Sequence, residues 1–185
     1  MSRSTDRKNK LKAYSALAGS LVAVAGTADA QFKYSDVNPD SVIGFGETMN
    51  IDLDTNGIAD FSFSLLQISS SSSSALNLAL INVIGNPNNA VMGSIYSGYP
   101  LPTALNGGDS IKPTSNWNAQ AVNNGVQYLG VFYPPNYTFG SFPNTTNKFV
   151  GVRFSNGSQT FYGWIRISLN ASCSQITVND YAYQI

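Results

Sequence analysis

The chain has 185 residues, enough for one well-buried domain with little left for a second. It contains no histidine and one cysteine, which excludes Ser-His-Asp and Cys-His catalysis, His-ligated zinc and any disulfide within the chain. Ten basic residues balance ten acidic ones, and the mature chain defined below has no basic patch of the kind that nucleic acid requires.

The amino terminus reads as an export signal. Arg3, Arg7, Lys8, Lys10 and Lys12 precede an apolar run, AYSALAGSLVAVAG (13–26), and Ala28 and Ala30 then fit a small-x-small cleavage site. Basic, apolar and small residues in that order predict a secretory signal peptide, 1–30, cut after Ala30. The alternative is a membrane anchor, but the apolar run falls well short of the ~20 residues needed to span a bilayer. Cleavage leaves Lys33, Lys112, Lys148, Arg153 and Arg166 against Asp36, Asp40, Glu47, Asp52, Asp54, Asp60, Asp109 and Asp180, a net charge of −3. The expected product, 31–185, is a single weakly acidic domain with no transmembrane segment, secreted or held at the outer cell surface.

From residue 31 onward the pattern is all-β. Short runs rich in Val, Ile, Phe, Tyr and Thr alternate with Gly, Asn, Pro and Ser, and no window carries a sustained helical period. Strands are expected at 32–35, 42–45, 48–53, 60–68, 76–84, 91–96 and 126–133. The serine run 69–74 reads as a hairpin tip or edge loop, GNPNNA (85–90) as a turn, and 97–125 as a long loop-like insert.

The last third is the clearest. Val150, Val152 and Phe154 share one face of 148–154, and Asn156-Gly157 supplies hairpin-turn chemistry. Along 160–169, Phe161, Ile165, Ile167 and Leu169 point one way and Tyr162, Trp164 and Arg166 the other. A strand at 175–185 completes an antiparallel meander. Amphipathic sheets must cover their apolar faces, so the expected fold is an antiparallel two-layer β-sandwich. Jelly-roll or lectin-like and immunoglobulin-like variants are not separated at this stage.

One short motif carries candidate chemistry. In IDLDTNGIADFSF (51–63), Asp52, Asp54, Asn56 and Asp60 place side-chain oxygens at positions 1, 3, 5 and 9 of a loop. Gly57 stands at position 6, where calcium loops turn sharply, and the Ile58 carbonyl falls at position 7. Ca²⁺ wants six to eight oxygens, and this loop supplies most of them. Phe63 occupies the position of the EF-hand glutamate, and strands rather than helices flank the loop, so the pattern predicts a structural calcium turn between strands. The competing reading is a solvated polar turn, since DTNG alone turns well. It leaves three carboxylates crowded in a stretch with no Lys or Arg between residues 34 and 111.

Other groups are weaker signals. Tyr128, Phe132, Tyr133, Tyr137, Phe139 and Phe142 crowd 128–143. Packing explains most of them, while Trp117, Tyr133 and Tyr137 fall in loop-like sequence and are candidates for stacking glycan rings. Cys173 is expected either as a small buried residue or as an intermolecular disulfide to a second copy. Glycosidase chemistry needs two facing carboxylates, and nothing in the sequence pairs Glu47, Asp109 and Asp180.

The motifs FVGVRFSNGSQTFYGWIRISL and ITVNDYAY resemble a C-terminal module of exported β-rich proteins of Gram-negative bacteria. These share a Y/F-x-G-x-x-F strand, a Y-G-W strand and a D-Y-A-Y-like ending. SDVNPD (35–40) and the 51–63 motif also look like that group's amino-terminal half. The resemblance implies export and a β fold and no particular activity. Members often carry C-terminal sorting or anchoring tails, whereas this sequence ends at Ile185 without one, which puts surface attachment by that route in doubt.

The function expected from all this is that of a non-enzymatic extracellular structural or adhesive protein with a structural calcium loop. Strand edges suggest self-assembly into a homo-oligomer or filament. The alternative is a carbohydrate-binding module whose partners are extracellular glycans.

Overall fold

A computed structural model describes residues 31–70 and 73–185; the expected signal peptide, 1–30, lies outside the described residues. Thirteen strands are described: β1 (Phe32–Ile43), β2 (Thr48–Ile51), β3 (Phe61–Ser70), β4 (Ser73–Val83), β5 (Ala90–Tyr96), β6 (Tyr99–Pro102), β7 (Ala104–Leu105), β8 (Trp117–Ala119), β9 (Val126–Tyr133), β10 (Tyr137–Phe139), β11 (Thr145–Asn156), β12 (Gln159–Leu169) and β13 (Ile176–Gln184). They form two antiparallel sheets, and the fold is a two-layer β-sandwich. The larger sheet runs β1-β13-β12-β11-β5-β6, with β7 paired to β11 and β8 to β5; the smaller runs β10-β9-β4-β3-β2.

Alternation builds the core between them. Phe61, Phe63 and Leu65 of β3 join Val150, Val152 and Phe154 of β11 and Ile165, Ile167 and Leu169 of β12 in one buried cluster. Each such side chain contributes roughly 1.5–3 kcal/mol by leaving water. The last three strands pair as the expected antiparallel meander, and β11 meets β12 with Val150 opposite Ile165 and Phe154 opposite Phe161. Asn156 still pairs with Gln159, so the two-residue turn is Gly157-Ser158 rather than Asn156-Gly157. Gly157 takes the positive φ, 60°.

The segment 97–125 departs from the expected loop. It contributes β6, β7 and β8 to the larger sheet and lays Leu105 and Ile111 over that sheet's outer face. There they cover Phe149, Trp164 and Ala182, with Phe149 and Trp164 in edge contact at 5.1 Å. The larger sheet is thus packed on both faces. Asp180, fully buried in β13, is held by a two-pronged bond from Arg166 (2.8 and 2.6 Å) and by the Tyr34 hydroxyl at 2.9 Å.

Three of the four strands that end the two sheets are poor templates for pairing with another chain, while the fourth, β1, runs for twelve residues. β2 and β10 have four and three residues, and four-residue β6 contains Pro100 and Pro102, which lack N–H donors. The pairing of β1 with β13 breaks between Asp36 and Ser41, around Pro39.

Candidate metal centre

The 52–60 turn joins β2 to β3 at one end of the sandwich. Ile51, Leu53, Phe61 and Phe63 are all buried and pin both ends of the turn in the core. Between them the chain wraps round its own side chains. The Asp52 carboxylate accepts the N–H groups of Asn56 (3.2 Å) and Gly57 (2.7 Å), Asp54 accepts Asn56 N–H (3.1 Å), and the Asn56 side-chain oxygen accepts Ile58 N–H (2.7 Å). Gly57 has φ 90°, a conformation that costs glycine nothing and any residue with a Cβ a good deal.

This wrapping gathers the carboxylates. Oxygens of Asp52, Asp54 and Asp60 lie within 4.8 Å of one another, so the three residues form a partly buried acidic group that can hold a metal ion. Asp60 is only 4% exposed. One of its oxygens accepts Leu53 N–H at 3.0 Å and the other the Asn89 amide at 3.2 Å. Burial pushes its pKa up to about 6; the Leu53 bond opposes the rise, while the Asp54 and Asp52 charges reinforce it. Lys33 reaches the loop, yet its ammonium bonds the Asp54 carbonyl and the Thr55 hydroxyl, both at 3.0 Å. Among the described residues, no Lys or Arg forms an ion pair with any of the three carboxylates.

The donor set fits a hard cation. Carboxylate and amide oxygens are the ligands Ca²⁺ takes; the chain has no His, and its one Cys, Cys173, is not part of the group, so nothing there suits a softer metal. Ile58 is 63% exposed at the rim, and Asn56 sits among the carboxylates, its amide nitrogen 3.1 Å from Asp54.

Two further segments complete the site. Asn89, fully buried, donates to Asp60 and to the Ile84 carbonyl (2.9 Å), and its own oxygen accepts Ser155 N–H (3.0 Å). Asn156 donates to Asp54 at 2.7 Å. Segments 52–60, 84–89 and 155–157 thus meet around a cleft of about 320 Å³. In the sequence Asn89 belongs to a turn and Asn156 to a hairpin, and neither residue type marks them as neighbours of the acidic loop.

The remaining expected residues are placed differently. Trp117 is in β8, where its ring lies 5.8 Å from Tyr162 and 5.3 Å from the Arg153 guanidinium. Tyr133 and Tyr137 lie 5.6 Å apart at the edge of the other sheet. The three therefore make no common stacking face, because Trp117 belongs to the packed cover of the larger sheet. Cys173 is fully buried, and burial pushes its thiol up to about 12. That fits the small buried residue, since a bridge to a second copy needs a sulfur at the surface. Glu47 accepts Gly44 N–H (2.7 Å) and Asp109 accepts Asn106 N–H (2.7 Å), each within its own turn, while Asp180 is engaged by Arg166 and Tyr34.

Comparison with protein-family models, curated proteins and solved structures found no match.

Proposed function

We propose that the mature chain is a non-enzymatic, extracellular structural or adhesive β-sandwich whose loop end is stapled by Ca²⁺. The observation that carries this reading is the Asp52, Asp54 and Asp60 group, with oxygens within 4.8 Å and, among the described residues, no Lys or Arg in an ion pair with them, Lys33 bonding the loop's carbonyl and hydroxyl oxygens instead. Side-chain oxygens of these residues and Asn56, the Ile58 carbonyl and water would form the shell. The ion's role is structural: it neutralises crowded carboxylates, one of them buried, and fixes a turn already tied to 84–89 and to the β11–β12 hairpin through Asn89 and Asn156. The export pattern of residues 1–30 supports the location, because millimolar calcium is extracellular and loops of this kind bind at about 10⁻⁴–10⁻³ M. Short β2, β6 and β10 would leave strand pairing with a second copy to β1, whose twelve residues include Pro39.

Melting of the mature protein in calcium against a chelator tests the reading. At a hundredfold excess over Kd the ion adds about 2.7 kcal/mol, which raises Tm by roughly 5–10 °C in a domain of this size. Asp54→Ala should abolish the rise. Equal melting temperatures for the unmodified protein in both conditions, with no calcium heat by calorimetry, would reduce the loop to an ordinary turn.

A further inference from the structure

A second site lies away from the metal loop, on the flank where the β5–β6 hairpin meets β9 and β10. Tyr96 lies 5.9 Å from Phe139, and Tyr99 stands edge-on to Phe139 (6.2 Å) and to Tyr128 (5.5 Å). Phe139 and Tyr128 are half-buried and act as the base, leaving Tyr96 61%, Tyr99 51% and Tyr137 62% exposed. Between Tyr96 and Tyr137 runs a groove of about 540 Å³, floored by Phe139 and rimmed by Ser94, Thr103 and Thr138. That volume is within the range of ligand sites, about 300–1,000 Å³.

Charge defines the occupant. The groove is built from 94–103 and 137–141, and the chain has no Asp, Glu, Lys or Arg from 61 to 108 or from 113 to 147. No charged side chain lines it, so an ionic ligand would find no counter-charge there. Exposed tyrosine rings on strands, beside Ser and Thr hydroxyls, suit a ligand with apolar C–H faces and many neutral hydroxyl groups. Tyrosine offers both partners, a broad ring and a polar tip, at small conformational cost.

We propose that this groove binds an uncharged polysaccharide, whose sugar rings lie against Tyr96 and Tyr137. The proposal rests on the adhesive reading above and gives that adhesion a ligand class; it does not require the calcium site.

Native gel electrophoresis of the mature protein through dextran, hydroxyethyl cellulose or galactomannan, with alginate and chitosan as charged comparisons, tests it. Retardation is expected in at least one neutral gel, unchanged by chelator below the melting temperature. Tyr96→Ala with Tyr137→Ala should weaken it about tenfold or more, as loss of an anchor residue does. Tyr96→Phe with Tyr137→Phe, which keeps the rings and the packing, should retain most of it and guards against a folding defect in the alanine pair. The proposal is overturned by mobility unchanged in every neutral gel, by retardation only in charged gels, or by equal retardation of a folded alanine pair. It is also overturned if light scattering shows a dimer that the alanine pair disperses, since a second copy would then occupy the face.

Discussion

The metal end and the tyrosine flank of this sandwich are built on opposite principles. The metal end concentrates charge: three carboxylates stand close together, one of them buried, held by backbone N–H groups and by Asn89. The flank excludes charge altogether and exposes rings whose bases rest on other rings. A charged cluster stores repulsion that the fold or an ion must offset, so occupancy there acts on stability. A neutral aromatic groove stores little, so occupancy and stability are separable on the flank.

Asn89→Ala is the strongest way to break the metal end. It removes one fully buried amide that serves Asp60, the Ile84 carbonyl and Ser155 N–H at once. Stranding those buried groups should cost about 3–5 kcal/mol, or on the order of 10 °C in Tm, by calorimetric melting. A loss below about 1 kcal/mol would mean that the three segments hold together without it.

The pH dependence of the calcium-free protein is the next largest effect. Asp60 has its folded pKa raised from 3.8 to about 6, so the folded state holds that proton more tightly than the unfolded chain. Its stabilising contribution is therefore full below 3.8 and is lost as pH rises through about 6. Melting should show about 2 kcal/mol more stability from this group at pH 4.5 than at pH 7, and Asp60→Asn should erase the difference. With calcium present the sign reverses, because protons and the ion compete for the same carboxylate.

The smallest effect belongs to the flank. Tyr96→Ala with Tyr137→Ala should change stability by less than about 0.5 kcal/mol per site, with or without calcium, since both rings are mostly in water. A large loss, or a calcium-dependent one, would show that the two regions are coupled.

The two regions also differed in how far they could be read from the chain. The acidic loop is nine consecutive residues, and its spacing alone brings the oxygens together. Its supports, Asn89 and Asn156, arrive from turns 29 and 102 residues from their carboxylate partners, and such pairings exist only once the sheets form. The β11–β12 hairpin is legible because apolar residues alternate from Lys148 to Phe154 and again toward Leu169, the stretch over which its register is continuous. β6 was not, since Pro100 and Pro102 mark its sequence as loop while its edge position tolerates them. Trp117 is surrounded by Ser, Asn and Pro in sequence, and in the fold it packs beside Tyr162 against the cluster that holds Trp164. The groove joins residues near 96 and 137 and had no local signature.

The placement of Cys173 makes the fold its own timer. The sulfur lies against Gly130, where even an added Cβ would come within 2.9 Å of it. Alkylating and oxidising reagents attack the thiolate, and here the thiol is both out of reach and held well above its ordinary pKa of 9.0. In an oxidising medium the folded chain therefore presents no reactive thiol, and modification of Cys173 waits for an opening of the fold around it. The rate at which iodoacetamide labels the native protein would count those openings, and a stapled loop end should lengthen the interval between them.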